Sequence, residues 1–360
     1  MRMKLNFTGR KVLITGHTGF KGAWLALWLK ILGAEITGIA LDPEDKSGAF
    51  CAMDISSLCE DIRQDINEYD KVVSIIDKQK PEIVFHLAAQ PLVLESYAHP
   101  LETIQTNVMG TVNILEACRK TSSVKAIIII TTDKCYENKE WVYGYRENDR
   151  LGGRDPYSVS KAAAELIVKS YRNSFFSVNK EIGLVTVRAG NVIGGGDWAE
   201  HRIVPDCIRA LKAGKVIEVR NPSSVRPWQH VLEPLGGYLI LAQRMLESSE
   251  RFSGPWNFGP GHEGVKNVTD LVQGLIHYWG EGKWKDISAG IRNKPHETAL
   301  LTLDISKARN YLLWQPLYNF QQSLEATVSW YKDQYMGENM INKSINQIEE
   351  YRKLLSYQYT

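Results

Sequence analysis

The run Lys11-Val12-Leu13-Ile14-Thr15 passes directly into Gly16-His17-Thr18-Gly19-Phe20-Lys21-Gly22, and no other stretch limits the possible folds as much. A short apolar, β-branched run bounded by glycine reads as a buried strand. The spacing then predicts a helix to about Leu32, stopped by Gly33, and a second strand over Ile36–Leu41. Glycines at 16, 19 and 22 permit a tight turn, close approach of backbone to a pyrophosphate, and close helix packing. Free N–H groups at the helix start would meet the phosphate. A plain structural turn would also use such glycines, but the strand–loop–helix–strand order favours a dinucleotide site.

The alternation continues with a helix near 66–80, a strand over Glu82–His86, a helix near Leu101–Lys120 and a strand over Ala126–Ile130. A helix over Tyr157–Tyr171 and a strand over Gly183–Arg188 come next. Strands separated by helices predict an α/β chain with a Rossmann-type, doubly wound parallel sheet. After Arg188 the segments shorten and carry more proline and tryptophan. Residues 190–231 and about 258–312 therefore read as a smaller α/β substrate-binding lobe. Residues 1–189, about 232–257 and 313–336 form the sheet domain, with helices at Leu232–Leu246 and Phe320–Tyr335 returning to it. The polar stretch 337–360 reads as a surface helix or a loosely held tail.

Composition narrows the partners. With 44% hydrophobic and 23% charged residues the chain can bury a large core. A net charge of +2 without a basic block gives no reason to expect nucleic acid or an anionic membrane. The five cysteines, odd in number and never spaced C-x-x-C, argue for reduced thiols in the cytoplasm. Asn6-Phe7-Thr8-Gly9-Arg10 interrupts any apolar start, so no secretion signal is expected. No stretch is apolar for long enough to predict a membrane span. The histidines and cysteines show no metal-ligand spacing, and no metal site is expected.

Chemistry concentrates in 131–161. Thr131-Thr132-Asp133-Lys134-Cys135-Tyr136 follows the apolar Ala126–Ile130 run, where an open α/β sheet presents ligands at the strand's carboxyl end. Tyr157 and Lys161 are four apart and share a helix face. A phenol beside a cation can act as a base near neutral pH. A surface Tyr-x-x-x-Lys pair is the plain alternative. Asp42, twenty residues beyond Gly22, either accepts from an adenosine ribose, favouring NAD over NADP, or is an ordinary turn residue before Pro43. The small residues of Leu87-Ala88-Ala89-Gln90, and Asp61-Ile62-Arg63, are expected after further strands. There the alanines would let a cofactor lie against the backbone. Arg202, Arg226 and Trp228 either clamp a diphosphate and stack a base or supply surface charge and small-lobe core.

Together Gly16-x-x-Gly19-x-x-Gly22, Asp61-Ile62-Arg63, His86–Gln90, Thr106-Asn107-Val108-Met109-Gly110-Thr111, Thr132-Asp133-Lys134 and Tyr157-x-x-x-Lys161 resemble the extended short-chain dehydrogenase/reductase family. Within it they resemble the nucleotide-sugar 4,6-dehydratases. Gly194-Gly195-Gly196-Asp197-Trp198, Val225-Arg226-Pro227-Trp228-Gln229-His230-Val231 and Leu303–Arg309 point to the branch taking cytidine diphosphate sugars.

The resemblance implies a lyase for deoxysugar (lipopolysaccharide-type) biosynthesis, with tightly bound NAD reduced and reoxidised in each turnover. It implies a cofactor site at Gly16, His17, Thr18, Gly19, Phe20, Lys21, Gly22, Asp61, Ile62, Leu87, Ala88, Ala89, Gln90, Thr106, Tyr157 and Lys161. Tyr157 would take the sugar C4 hydroxyl proton, Thr132 would hydrogen-bond that oxygen, and Asp133 would protonate the departing C6 hydroxyl. Lys134 stands where the dTDP-glucose relatives carry a glutamate. It would be the C5 base, or a charge stabilising the C5 enolate. Substrate contacts would fall on Asn191, Arg202, Ile203, Val204, Arg226, Trp228, Asn257, Pro295 and His296. A homodimer or homotetramer is expected, with helices near 101–120 and 157–171 at the dimer surface. The alternatives are a 4,6-dehydratase or C4 epimerase for another nucleotide sugar, and a non-catalytic dinucleotide or RNA binder. Thr132-Asp133-Lys134 disfavours the epimerase and the absence of a basic patch disfavours the RNA binder.

Overall fold

A computed structural model describes residues 5–177, 182–290 and 300–358. Seven parallel strands form the main sheet: β1 (Lys11–Thr15), β2 (Glu35–Ala40), β3 (Glu60–Arg63), β4 (Ile83–His86), β5 (Ala126–Ile130), β6 (Gly183–Ala189) and, at the far edge, a later strand Gly254–Phe258. In spatial order these run Gly254–Phe258, β6, β5, β4, β1, β2, β3. The order reverses between β1 and β4, and in a doubly wound sheet the crevice at that reversal receives ligands. Both the glycine loop after β1 and the residues after β4 open there.

The continuously apolar strands are explained by burial on two faces. Val12 and Ile14 of β1 join one core while Leu13 joins the opposite one. In β5, Ile128 and Ile130 face the first core, and Ile127 and Ile129 the second. Alternating side chains point to opposite faces, so a strand covered on both sides is apolar throughout.

The remaining strands are β7 (Asn191–Ile193), β8 (Ile217–Val219), β9 (Val225–His230), β10 (the edge strand Gly254–Phe258), β11 (Val265–Asn267) and β12 (Trp284–Asp286). β9 is central in a three-stranded sheet, antiparallel to β11 and parallel to β7, while β8 and β12 pair parallel. No described helix is long and apolar enough to cross a membrane.

Several expectations change. Asp61 and Ile62 lie within β3 rather than after a strand. The helix expected over Leu101–Lys120 begins at Pro100 and is interrupted by a wide π-type turn over Gln105–Met109. The end of the chain is no loose tail. Met340–Gln358 is a helix whose Ile348 and Tyr351 are fully buried, with the Tyr351 ring packed edge-on against Trp28. The polar composition of this segment hid an apolar stripe at helical spacing.

Candidate active site

The site begins where β5 ends. Thr132 is extended and caps a single turn over Asp133–Cys135, its hydroxyl accepting from the Lys134 amide at 3.4 Å. The same hydroxyl donates to Asp133 Oδ1 at 3.0 Å. Asp133 is buried, and its Oδ2 has no hydrogen-bond partner among the described residues. Burial raises the Asp133 pKa, against the opposing pull of Lys134, Thr132 and Arg226. A carboxyl whose protonated form is favoured by burial is suited to act as an acid. Half-buried Lys134 is pushed the other way, below the ordinary lysine value, by burial and then by the Arg226 and Arg202 charges, with Asp133 opposing.

Asp155 caps the Pro156–Tyr171 helix, accepting from the Ser158 amide at 2.9 Å and its hydroxyl at 2.6 Å. Tyr157, Lys161 and Glu165 follow at intervals of one turn and are all buried. Lys161 Nζ donates to the Ile130 carbonyl at 3.3 Å, tying the helix to the end of β5. The expectation of a permanent cation lowering the phenol needs correction. Burial brings Lys161 down to about 8, helped by the Lys21 charge. Burial also pushes Tyr157 up to about 12, and the groups drawing it back most are Thr132 and Arg202. Desolvation outweighs both of these groups.

Asn107, named above only within the Thr106–Thr111 motif, joins these parts. It sits in the wide turn, donates to Ser160 Oγ at 2.8 Å and to the Gln90 carbonyl at 3.0 Å, and accepts from the Gln90 amide at 2.8 Å. Ser160 in turn donates to the Tyr157 carbonyl at 2.7 Å.

The three glycines of the loop have different reasons to be glycine. Gly16 has φ +76°, and a Cβ there would lie 2.6 Å from the Ala88 nitrogen. A Cβ at Gly22 would lie 2.1 Å from the Gly16 oxygen. Gly19 is exposed, and a Cβ there would meet only the Gly16 oxygen at an ordinary 3.4 Å. Chain packing does not require Gly19. The bare backbone at the start of the Phe20–Ile31 helix fits a pyrophosphate brought close to free N–H groups. His17 does not face that space. It is fully buried beneath the loop, with Nε2 2.8 Å from Asp61 Oδ1 and Gly38 against its ring. Asp61 is also held by Arg63 at 2.8 Å, and the exposed Asp42 pairs with Arg63 at 3.2 Å. Thr18, Ile62, Leu87, Ala88, Ala89, Gln90 and Thr106 are half-buried.

One cavity of about 1490 Å³ gathers the expected catalytic residues except Lys161 and most of the expected substrate contacts, but only Phe20, Lys21 and Tyr157 of the expected cofactor set. Its walls include Phe20, Lys21, Thr132, Asp133, Lys134, Tyr157, Asn191, Arg202, Ile203, Val204, Arg226 and Trp228. Arg202 is paired with Asp197 at 2.9 Å. Trp228 is buried, its indole N–H donating to the Lys266 carbonyl at 3.0 Å, so it serves the small-sheet core as well as the wall. Asn257 is not on this wall. It is fully buried, its amide donating to the Tyr145 and Asp304 carbonyls at 2.8 and 3.2 Å while its Oδ1 accepts from the Tyr136 hydroxyl. Its expected substrate contact is therefore replaced by a structural role. Pro295 and His296 lie outside the described residues.

A family model described as GDP-mannose 4,6 dehydratase matches residues 13–255. The chain belongs to that family. A family relative, the CDP-glucose 4,6-dehydratase of Salmonella typhimurium, is 48% identical over 348 residues, covering 95% of this chain and 96% of that protein. The dTDP-glucose 4,6-dehydratase of Xanthomonas campestris is 24% identical over 336 residues, covering 89% and 92%. Among solved structures, a dTDP-glucose 4,6-dehydratase from Bacillus anthracis in complex with NAD superposes with TM-score 0.76 at 19% identity. It covers 92% of this chain and 100% of its own. At that identity the likeness bears out the doubly wound sheet expected of the family.

Proposed function

We propose that this chain is an NAD-dependent CDP-D-glucose 4,6-dehydratase, a hydro-lyase forming CDP-4-dehydro-6-deoxy-D-glucose and water. The name of the 48% identical Salmonella protein supports the substrate. The observation that carries the reaction is Asp133. A buried carboxyl whose pKa burial raises stands in one cavity with Tyr157 and Lys134, beyond what alcohol oxidation alone needs.

The cofactor would lie along the Gly16–Gly22 loop, Asp61, Ile62, Leu87–Gln90 and Thr106, with Lys161 and Tyr157 at its reactive end. NAD held there would supply the acceptor for the C4 hydride and the donor of the hydride to C6. Tyr157 takes the C4 hydroxyl proton as phenolate, the minor form of a phenol that burial pushes up to about 12, and Thr132 hydrogen-bonds that oxygen. The new ketone acidifies the C5 proton, which Lys134 takes in its neutral form. Asp133 delivers its proton to the C6 hydroxyl, which leaves as water, and the Lys134 ammonium returns a proton to C5. Arg202 and Arg226 hold the diphosphate between Asn191 and the 203–204 backbone.

The same reading assigns residues 190–231 and 258–312 to the nucleotide-sugar lobe. It places the enzyme in the cytoplasm as a homo-oligomer. Exposed Leu101, Ile104, Met109, Val159 and Leu166 on neighbouring helices support a self-association face. The test is incubation with CDP-, dTDP-, GDP- and UDP-hexoses while following 4-keto sugar. CDP-glucose should be converted in preference. Preferential turnover of another nucleotide sugar, or formation of a C4 epimer alone, overturns the reading.

A further inference from the structure

Behind the cavity lies a charge pair that the mechanism does not use. Glu165 and Arg188 are both buried, with Arg188 donating through Nε to Glu165 Oε1 at 2.8 Å and through Nη2 to Oε2 at 2.7 Å. The carboxylate also accepts from the Thr131 hydroxyl at 2.6 Å and the Thr186 hydroxyl at 2.7 Å. Burial alone would raise this carboxyl, but Arg188 and the two hydroxyls more than offset it and hold it below its ordinary value. Its charge is therefore kept inside the protein.

The partners of this carboxylate sit at the ends of two adjacent strands. Thr131 is the first residue beyond β5 and precedes Thr132, whose hydroxyl holds Asp133. Thr186 and Arg188 are on β6, which leads into Gly190. A Cβ at Gly190 would lie 3.1 Å from the unpartnered Asp133 Oδ2. Glu165 itself follows Tyr157 and Lys161 on one helix face. A single carboxylate thus joins the helix carrying Tyr157, the segment carrying Asp133 and the strand that walls Asp133.

We propose that Glu165 is a positioning residue for dehydration, holding Asp133 in register with Tyr157 through the Thr131 hydroxyl and β6. The proposal rests on the dehydratase reading given above. Among the described residues the Asp133 carboxyl has one side-chain partner, Thr132, so its placement depends on the backbone that Thr131 anchors. Tyr157 has a second anchor through Asn107 and Ser160. Loosening the Thr131–Glu165 link therefore moves the acid more than the phenol.

Two variants test this. Thr131→Val removes the hydroxyl link and leaves the Glu165–Arg188 pair intact. Glu165→Gln removes the charge and is checked for folding by thermal unfolding. In Thr131→Val, C4 oxidation should stay within about twofold while water loss slows about tenfold or more, with KM little changed. Reduced cofactor would then accumulate while 4-keto-6-deoxy sugar lags. Equal slowing of both steps, or no slowing of water loss, overturns the proposal. Crystal structures of both variants give a readout that needs no turnover. A displaced Asp133 carboxyl supports the proposal, and an unmoved one overturns it. Failure of the dehydratase reading would show separately, as a wild-type chain that forms no 4-keto sugar from any nucleotide sugar.

Discussion

The Lys134 ammonium nitrogen lies 6.0 Å from the centre of the Tyr157 ring. The two groups assigned to the C4 and C5 protons therefore share one side of the cavity. Lys134→Met should leave C4 oxidation in place and stop C5 deprotonation. In the wild type only neutral Lys134 can take a proton. Its pKa is lowered by burial and Arg226, so the rate of C5 exchange with solvent should rise with pH and level off below the ordinary lysine range. Exchange measured across pH checks this, and an unchanged rising limb in Lys134→Met would assign the base elsewhere.

Tyr157 and Asp133 should separate the two halves of the reaction. Tyr157→Phe should show no reduced cofactor on mixing with substrate, because nothing takes the C4 proton. Asp133→Asn should still oxidise C4 and then stall, since an amide cannot deliver a proton to the leaving hydroxyl. Stopped-flow absorbance with product analysis distinguishes them. Complete loss of C4 oxidation in Asp133→Asn would contradict this division.

The sheet was legible because its strands are buried on both faces and read as apolar runs, as at Ala126–Ile130. Tyr157, Lys161 and the 132–134 triplet were legible because they follow helix periodicity and strand ends. Glu165 was not, although it stands at the next turn after Lys161. Its partner Arg188 comes from a separate strand, and pairing across 23 residues leaves no local pattern. His17 stood in the glycine motif, yet only the folded chain places it beneath the loop against Asp61. Tyr351 escaped notice because its contacts, Trp28 and Glu233, are far away in sequence.

Asn257 offers a check on the corrected substrate set. Its amide bonds to Tyr145 and Asp304 carbonyls lie in the interior, away from the cavity wall. Asn257→Ala takes away the donor to the Asp304 carbonyl, one of two donors to the Tyr145 carbonyl (which keeps the Asp304 amide) and the acceptor of the Tyr136 hydroxyl (which keeps Arg188), and a buried group left unmade costs about 1–3 kcal/mol. Denaturant unfolding should show a clear loss of stability while KM for the nucleotide sugar stays unchanged in the folded fraction. A raised KM with unchanged stability would return Asn257 to the substrate site.

The buried Glu233 links the last helix to the core and makes stability depend on pH. Its carboxyl accepts from the Leu317 amide at 3.0 Å, the Tyr318 amide at 2.6 Å and the Tyr351 hydroxyl at 2.8 Å. Burial raises it from 4.5 to about 7, with those three donors opposing. Between those values the folded chain binds a proton that the unfolded chain has lost, so this group's contribution to stability falls as pH rises. Above about pH 7 the loss is complete, on the order of 3 kcal/mol. Glu233→Gln carries no such charge and keeps an oxygen to accept from the backbone amides. Urea unfolding should therefore show the variant gaining on the wild type as pH rises from about 5 to about 8. A stability difference that stays flat across that range would mean the carboxyl ionises normally inside the fold.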